Sequence, residues 1–245
     1  YVFFFEDGEA FPVAFDGTTS TNAGPLNYIK VELTGDKTNM DNVSDVQNAV
    51  LVLKNYKGEY PNQMLAILNW TPEKASYTLS ELQTKVTALG NDTDGYVMSN
   101  SVYANSKKQV VDAVPVTIAN IGKTAAEALA NPVKIYVERI AAKVTVNTTT
   151  ENKYDIGEEV DGTQVFAKVL GWELYNEYDK SYLLKKIDAS WTDTTVGFSW
   201  NDSAWFRSYW AESLNGAFAS NTFAWDTDNT AMGGYVYCGE NTRDW

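Results

Sequence analysis

The chain has no histidine among its 245 residues and a single cysteine, Cys238. Serine triads, cysteine–histidine dyads and most zinc or copper sites need imidazole as base or ligand, so these are excluded. One cysteine cannot form an internal disulfide, and the fold must hold by packing. Cys238 is best read as a small buried strand residue. Neither a GxxxxGK[ST] phosphate loop nor a GxGxxG fingerprint occurs, and glycine appears at turns instead. No apolar run approaches the roughly 20 residues of a spanning helix. Basic residues are also scarce: 19 Lys and Arg against 32 Asp and Glu leave a formal net charge of -13. Such a surface repels nucleic acid and anionic lipid, and its plain role is solubility.

What is abundant is aromatic: 15 Tyr, 10 Phe and 8 Trp, within 44% apolar residues. That composition excludes disorder and suits sheets, whose half-buried pleated faces accommodate rings. Tyr1 to Phe5 is a predicted strand, followed by the hairpin signal Asp7-Gly8 and a strand from Phe11 to Phe15. Residues 16–25 form a polar loop. Asn27 to Thr34, Ala49 to Leu53 and Met64 to Leu68 have strand character. A helix is predicted from Ser80, boxed by Gln83, with Leu79, Leu82, Val86 and Leu89 at helical spacing as far as Gly90. A second runs from Thr124 to Ala130, ended by Pro132.

The segment Val133 to Val146 is the most informative. Its apolar residues are odd-numbered through Val137 and even-numbered from Ile140. Period-two alternation changes parity only through an extra residue, so a bulge or bend is expected between Glu138 and Ala141. The polar run Asn147 to Asn152 marks a domain boundary, giving domains over 1–148 and 149–245. Beyond it, Val165 to Leu174, Tyr182 to Ile187 and Tyr235 to Cys238 are predicted strands, with a turn over Asn176 to Lys180.

Chemistry without histidine could still rest on paired carboxylates, as in a glycosidase, and Glu158-Glu159 or Asp226 with Asp228 would be the candidates. Their Gly-, Asn- and Thr-rich surroundings suit solvated turns better. Asn91-Asp92-Thr93-Asp94-Gly95 resembles half a calcium loop, but Gly90 and Ser101 occupy its first and last ligand positions. An Asx-rich turn is the better reading. The tryptophans Trp191, Trp200, Trp205, Trp210 and Trp225 could stack on sugars, although core packing explains them more simply. No residue is expected to be catalytic, and no cofactor or metal is expected.

Several stretches, taken in order, resemble one family. They are Tyr96 to Tyr103, Asn131 to Val144 with its Val137-Glu138-Arg139-Ile140-Ala141-Ala142-Lys143-Val144 core, Gly171 to Leu174, Lys180 to Leu183, and Gly239 to Thr242. The chain is similar over most of its length to the Mfa-like fimbrillins, type V pilins of Bacteroidales. The resemblance implies two transthyretin-like β-sandwich domains with a few short helices. It implies a lipoprotein precursor, exported and trimmed by an arginine-specific protease, that assembles at the cell surface. In such a filament each subunit takes a strand from its neighbour, so the partners are further copies of the chain and surface receptors.

On this basis Tyr1, Val2, Phe3, Phe4, Phe5, Phe11, Val13 and Phe15 are expected to border the assembly groove. Val137, Arg139, Ile140 and Val144 are expected on the strand leading into the domain junction. Tyr1 opens directly inside a strand, as in a processed or truncated chain, and the donating segment is expected outside this sequence. The competing expectation is a tip adhesin or surface glycan-binding protein using the Trp-rich second half.

Overall fold

The computed structural model describes residues 1–15, 25–32, 48–53, 59–91, 95–105, 110–147, 153–169, 173–177, 180–187, 192–193, 198–199, 201–202, 205–206, 208–210, 219–222 and 233–239. Among these residues the fold is all-β, with antiparallel pairings, two short α-helices and a 3-10 turn. The chain opens with β1 (Val2–Glu6), β2 (Glu9–Ala10), β3 (Ala14–Phe15), β4 (Pro25–Leu26), β5 (Tyr28–Ile29) and β6 (Gln63–Leu68). Helix α1 (Leu79–Thr84) precedes β7 (Val86–Ala88), β8 (Gly90–Asn91), β9 (Gly95–Tyr96) and β10 (Met98–Asn100). Then come β11 (Tyr103–Ala104), β12 (Val110–Val111), β13 (Val114–Pro115), α2 (Ala125–Ala130), β14 (Val137–Arg139) and β15 (Ala141–Asn147).

One seven-stranded sheet organises the first half, in the order β14-β10-β6-β1-β2, with β5 also beside β1 and β13 also beside β6. The β1–β2 turn is formed by Asp7 and Gly8 at φ 51° and 86°. Two successive positive φ values make the tight hairpin turn whose twist matches that of its strands. Phe3 and Phe5 point to one face with Leu65 and Ile67 of β6, and pack there with Trp70, Tyr77, Leu79 and Leu82. Phe4 points to the other face and is equally buried, as are Val13, Val114 and Val116. The sheet centre is therefore covered on both sides. Burying each Phe contributes about 2–3 kcal/mol.

Chain from beyond the expected boundary at 148/149 joins this core. The strand Lys180–Tyr182 pairs with β7, and Leu183, Leu184 and Trp210 pack in the cluster of Phe3 and Ile67. The parity change in Val133–Val146 is realised as a break at Ile140. Before it, β14 pairs with β10; after it, β15 pairs along its full length with the strand Gly233–Gly239. Residues 133–136, expected within the same strand, carry no ladder.

Other expectations are corrected. Helix α1 is capped by Thr78, not Ser80. The Glu81 carboxylate accepts from Thr78 N–H at 2.8 Å, and the Thr78 hydroxyl accepts from Glu81 N–H at 3.2 Å. The helix stops at Thr84 because Val86 and Thr87, both β-branched, pair as a strand with Tyr182 and Ser181. Helix α2 forms as expected, capped by Thr124. Residues 48–53 form no strand, and Val50 and Val52 are exposed. Only Ala14–Phe15 of the Phe11–Phe15 segment is strand; Pro12 lacks the N–H that a ladder requires. The expected strand Val165–Leu174 is divided between Thr163–Ala167 and Glu173–Glu177.

Candidate assembly surface

The N-terminal strand, expected beside an open groove, is instead interior. One edge of β1 is filled by β6, with Val2 opposite Ala66 and Phe5 opposite Gln63. The other edge is filled by β5 at Val2 and Phe3 and by β2 at Phe5 and Glu6. Between those two short strands, Asn27 meets the backbone of Phe4. The Phe4 N–H donates to Asn27 C=O at 2.9 Å, and Asn27 Nδ2 donates to Phe4 C=O at 3.2 Å. The Tyr1 ammonium donates to Ile67 C=O at 2.9 Å, and burial lowers its pKa. Phe11 N–H donates to Phe4 C=O, and Val13 N–H to Leu26 C=O. Tyr1 to Phe5 and Val13 are thus central structure, and β1 offers no edge to a second chain.

The path of the sheet ends at β2 on one side and at β14 on the other. Ile140 N–H donates to Val97 C=O and Ser101 N–H donates to Tyr136 C=O, so Tyr136, Glu138 and Ile140 turn their backbone groups toward β10. Val137 and Arg139 turn theirs outward. Among the described residues no strand pairs on that side. The Tyr103 hydroxyl closes the start of β14, accepting from Tyr136 N–H at 2.7 Å and donating to Tyr136 C=O at 3.1 Å. Burial pushes this phenol up to about 12, against the opposing pull of that backbone bond.

Of the four residues expected on the junction strand, Val137 is half-buried, Arg139 exposed, Ile140 in the core, and Val144 half-buried opposite Val236. Beneath β14, Glu138 accepts from Lys185 Nζ at 2.8 Å. Burial alone would raise the Glu138 carboxyl, but the Lys185 and Ser101 hydrogen bonds overcome it and hold the group below its ordinary range. Lys185 Nζ also stands 4.2 Å above the Trp210 ring, whose Nε1 donates to Ser99 Oγ at 3.2 Å. Trp210 is therefore a buried core residue rather than a sugar platform. The side chains of Trp191, Trp200, Trp205 and Trp225 lie outside the described residues, as do Asp226, Asp228 and positions 92–94 of the calcium-like loop.

A second exposed feature has a readable signal in the sequence. Strands β16 (Tyr154–Val160) and β17 (Thr163–Ala167) form a hairpin closed by Asp161 and Gly162, at φ 51° and 72°. This is the same dipeptide and turn as Asp7-Gly8. Asp155 shapes a bulge by accepting from Gly157 N–H at 2.8 Å and from Gln164 Nε2. Among the described residues, Asp112 is the carboxyl that burial pushes upward. It lies deep in the fold, accepts from Gln83 Nε2 at 2.8 Å, and is drawn back by that bond and by Lys186. No group of three or more potential metal ligands occurs among the described residues.

No family model, characterised protein or solved structure matches the chain. No helix among the described residues is long and apolar enough to cross a membrane.

Proposed function

We propose that the chain is a structural subunit of a surface filament, an Mfa-like fimbrillin that assembles by exchanging strands between copies. In this reading it has two transthyretin-like sandwich domains and reaches the cell surface as a processed lipoprotein precursor. The observation that carries the proposal is the outer edge of β14, which no strand covers among the described residues. An open edge presents unpaired N–H and C=O groups to any added strand, and it aggregates unless a specific partner covers it. The segment bearing the most specific part of the resemblance, Val137 to Val144, carries this edge and the passage into the second strand pair.

Electron microscopy of the native assembly tests the reading. Regular unbranched filaments traceable to this chain are expected. Discrete monomers from a full-length, protease-processed preparation would overturn it. The burial of Trp210 gives the glycan-binding alternative no support from that residue.

A further inference from the structure

Beyond Asn147, the buried residues among those described are Ser181, Leu183, Leu184 and Trp210. All four belong to the interior of the first half. Leu183 and Leu184 are 0% exposed and pack, with Trp210, in the cluster of Phe3, Phe5, Leu65 and Ile67. The Ser181 hydroxyl donates to Trp210 C=O at 2.9 Å within the same interior. The pairings among the described strands beyond Asn147 are two-stranded, as in the β16–β17 hairpin. A two-stranded pair is marginal in water by itself.

Segment 180–187 enters that interior as a strand held on two sides. Lys180, Ser181 and Tyr182 pair with Ala88, Thr87 and Val86 of β7. Tyr182 N–H donates to Trp210 C=O at 2.9 Å, and Leu183 N–H turns back to Lys85 C=O at 2.8 Å. The two lysines that follow fasten the far end to different elements. Lys185 Nζ donates to Glu138 on β14 at 2.8 Å, and Lys186 Nζ donates to Gln83 C=O near the end of α1 at 2.5 Å. Withdrawing the segment would expose both leucines, take the partner from β7 and uncover the Phe3–Ile67 cluster. Two fully buried leucines are a large share of the small net stability of a fold.

We infer that Lys180–Leu184 is an internally donated strand that locks the first-half core. The β1–β6 core is stable only while this segment is seated, and releasing the segment opens the core instead of parting two self-sufficient domains. Strand Lys180–Tyr182 lies more than 90 positions after β7, so the first half has its full interior only once that later chain has docked. The inference concerns the single chain and stands apart from the filament reading.

Native-state hydrogen exchange on the full chain tests it. The amides of Phe4 and Ile67 should open with the same equilibrium as those of Tyr182 and Leu183, within about threefold. Tyr182 and Leu183 exchanging more than about tenfold faster, through an opening of their own, overturns the lock. A clamp gives a second reading. Ala88 and Lys180 are exposed and directly opposite in register. Ala88→Cys with Lys180→Cys, in a Cys238→Ser background, allows a disulfide that holds the segment in place. Oxidation should slow exchange at Phe4 and Ile67 at least about tenfold relative to the reduced form. Unchanged exchange at those two amides overturns the inference. Leu183→Ala should speed exchange at Phe4 and Ile67 about a hundredfold, whereas a gain confined to 180–187 also overturns it.

Discussion

Asn27 and Asn100 hold matching stations on the two outer edges of the β1–β6 pair. Each stands where one flanking strand ends and the next has not begun. On the β1 side, Asn27 bridges the gap between β5 and β2 by meeting both backbone groups of Phe4. On the β6 side, Asn100 bridges the gap between β10 and β13. Its Oδ1 accepts from Ala66 N–H at 2.9 Å, and its Nδ2 donates to Asp112 C=O at 2.9 Å. The two amides complete a sheet whose flanking strands are too short to do so.

Replacing either amide with an apolar residue should therefore cost far more than its size suggests. Asn27→Leu strands the buried N–H and C=O of Tyr77, which Asn27 now pairs at 3.1 and 2.8 Å. A loss of about 3 kcal/mol is expected from the unpaired groups. The measurement is a urea unfolding midpoint at unchanged slope. A loss below about 1 kcal/mol would show that water replaces the amide.

Trp210 and Ser99 join residues 111 positions apart, and Lys185 lies over the indole. Trp210→Ala is expected to destabilise the chain by about 3–5 kcal/mol through the cavity it leaves. Trp210→Phe keeps most of the volume but leaves Ser99 without its indole donor, and should cost about 1–2 kcal/mol. Both values come from thermal or urea unfolding. A glycan array that lost binding with Trp210→Phe while stability held would instead favour a sugar-binding role.

Much of the fold is legible where local chemistry and tertiary demand agree. The Asp7-Gly8 turn, the Met64–Leu68 run, the parity change at Ile140 and the Thr124 to Ala130 helix all follow from short-range rules. Sequence reasoning fails where a distant segment decides the outcome. Val86 fits a helix by spacing, yet it pairs with Tyr182, nearly a hundred positions away. An all-apolar strand looks the same at an open groove and at a sheet centre. Only the pairing of β5 and β2 places Tyr1 to Phe5 at the centre. The hairpin of 154–167 is signalled by Asp161-Gly162, but its polar, weakly alternating strands hide it.

Two glycines with positive φ should respond in opposite ways to the same substitution. Gly90 sits at φ 100°, and a Cβ there would stand 2.5 Å from Gly95 O. Gly90→Ala is expected to cost at least about 2 kcal/mol from backbone strain alone, because the clash is with main chain and cannot be relieved by a rotamer. Gly157, on the free hairpin, has φ 74°, and a Cβ there would meet nothing within 4 Å. Gly157→Ala should leave the global unfolding midpoint unchanged and alter only exchange rates within 154–167. Equal losses at both sites would mean that the hairpin unfolds together with the core.

Asp112 gives the fold a pH dependence whose sign can be worked out. Burial raises its carboxyl, against the opposing pull of Gln83, its own backbone bond and Lys186. An acid raised on folding holds its proton more tightly in the native state. Its contribution to stability is complete below the unfolded value and is lost as pH rises through the folded one. Glu138, lowered on folding, works in the other sense: its contribution is present above the unfolded value and lost as pH falls through the folded one. Comparing the parent with Asp112→Asn isolates the first group, because Glu138 is common to both. The variant keeps an oxygen for Gln83 Nε2 and never ionises. It should be at least as stable as the parent at neutral pH. The gap between them should close, and then reverse or vanish, as pH falls through the carboxylate range. Urea midpoints at a series of pH values measure this, and parallel curves for the two proteins would show that Asp112 is solvated as freely in the native state as in the unfolded chain.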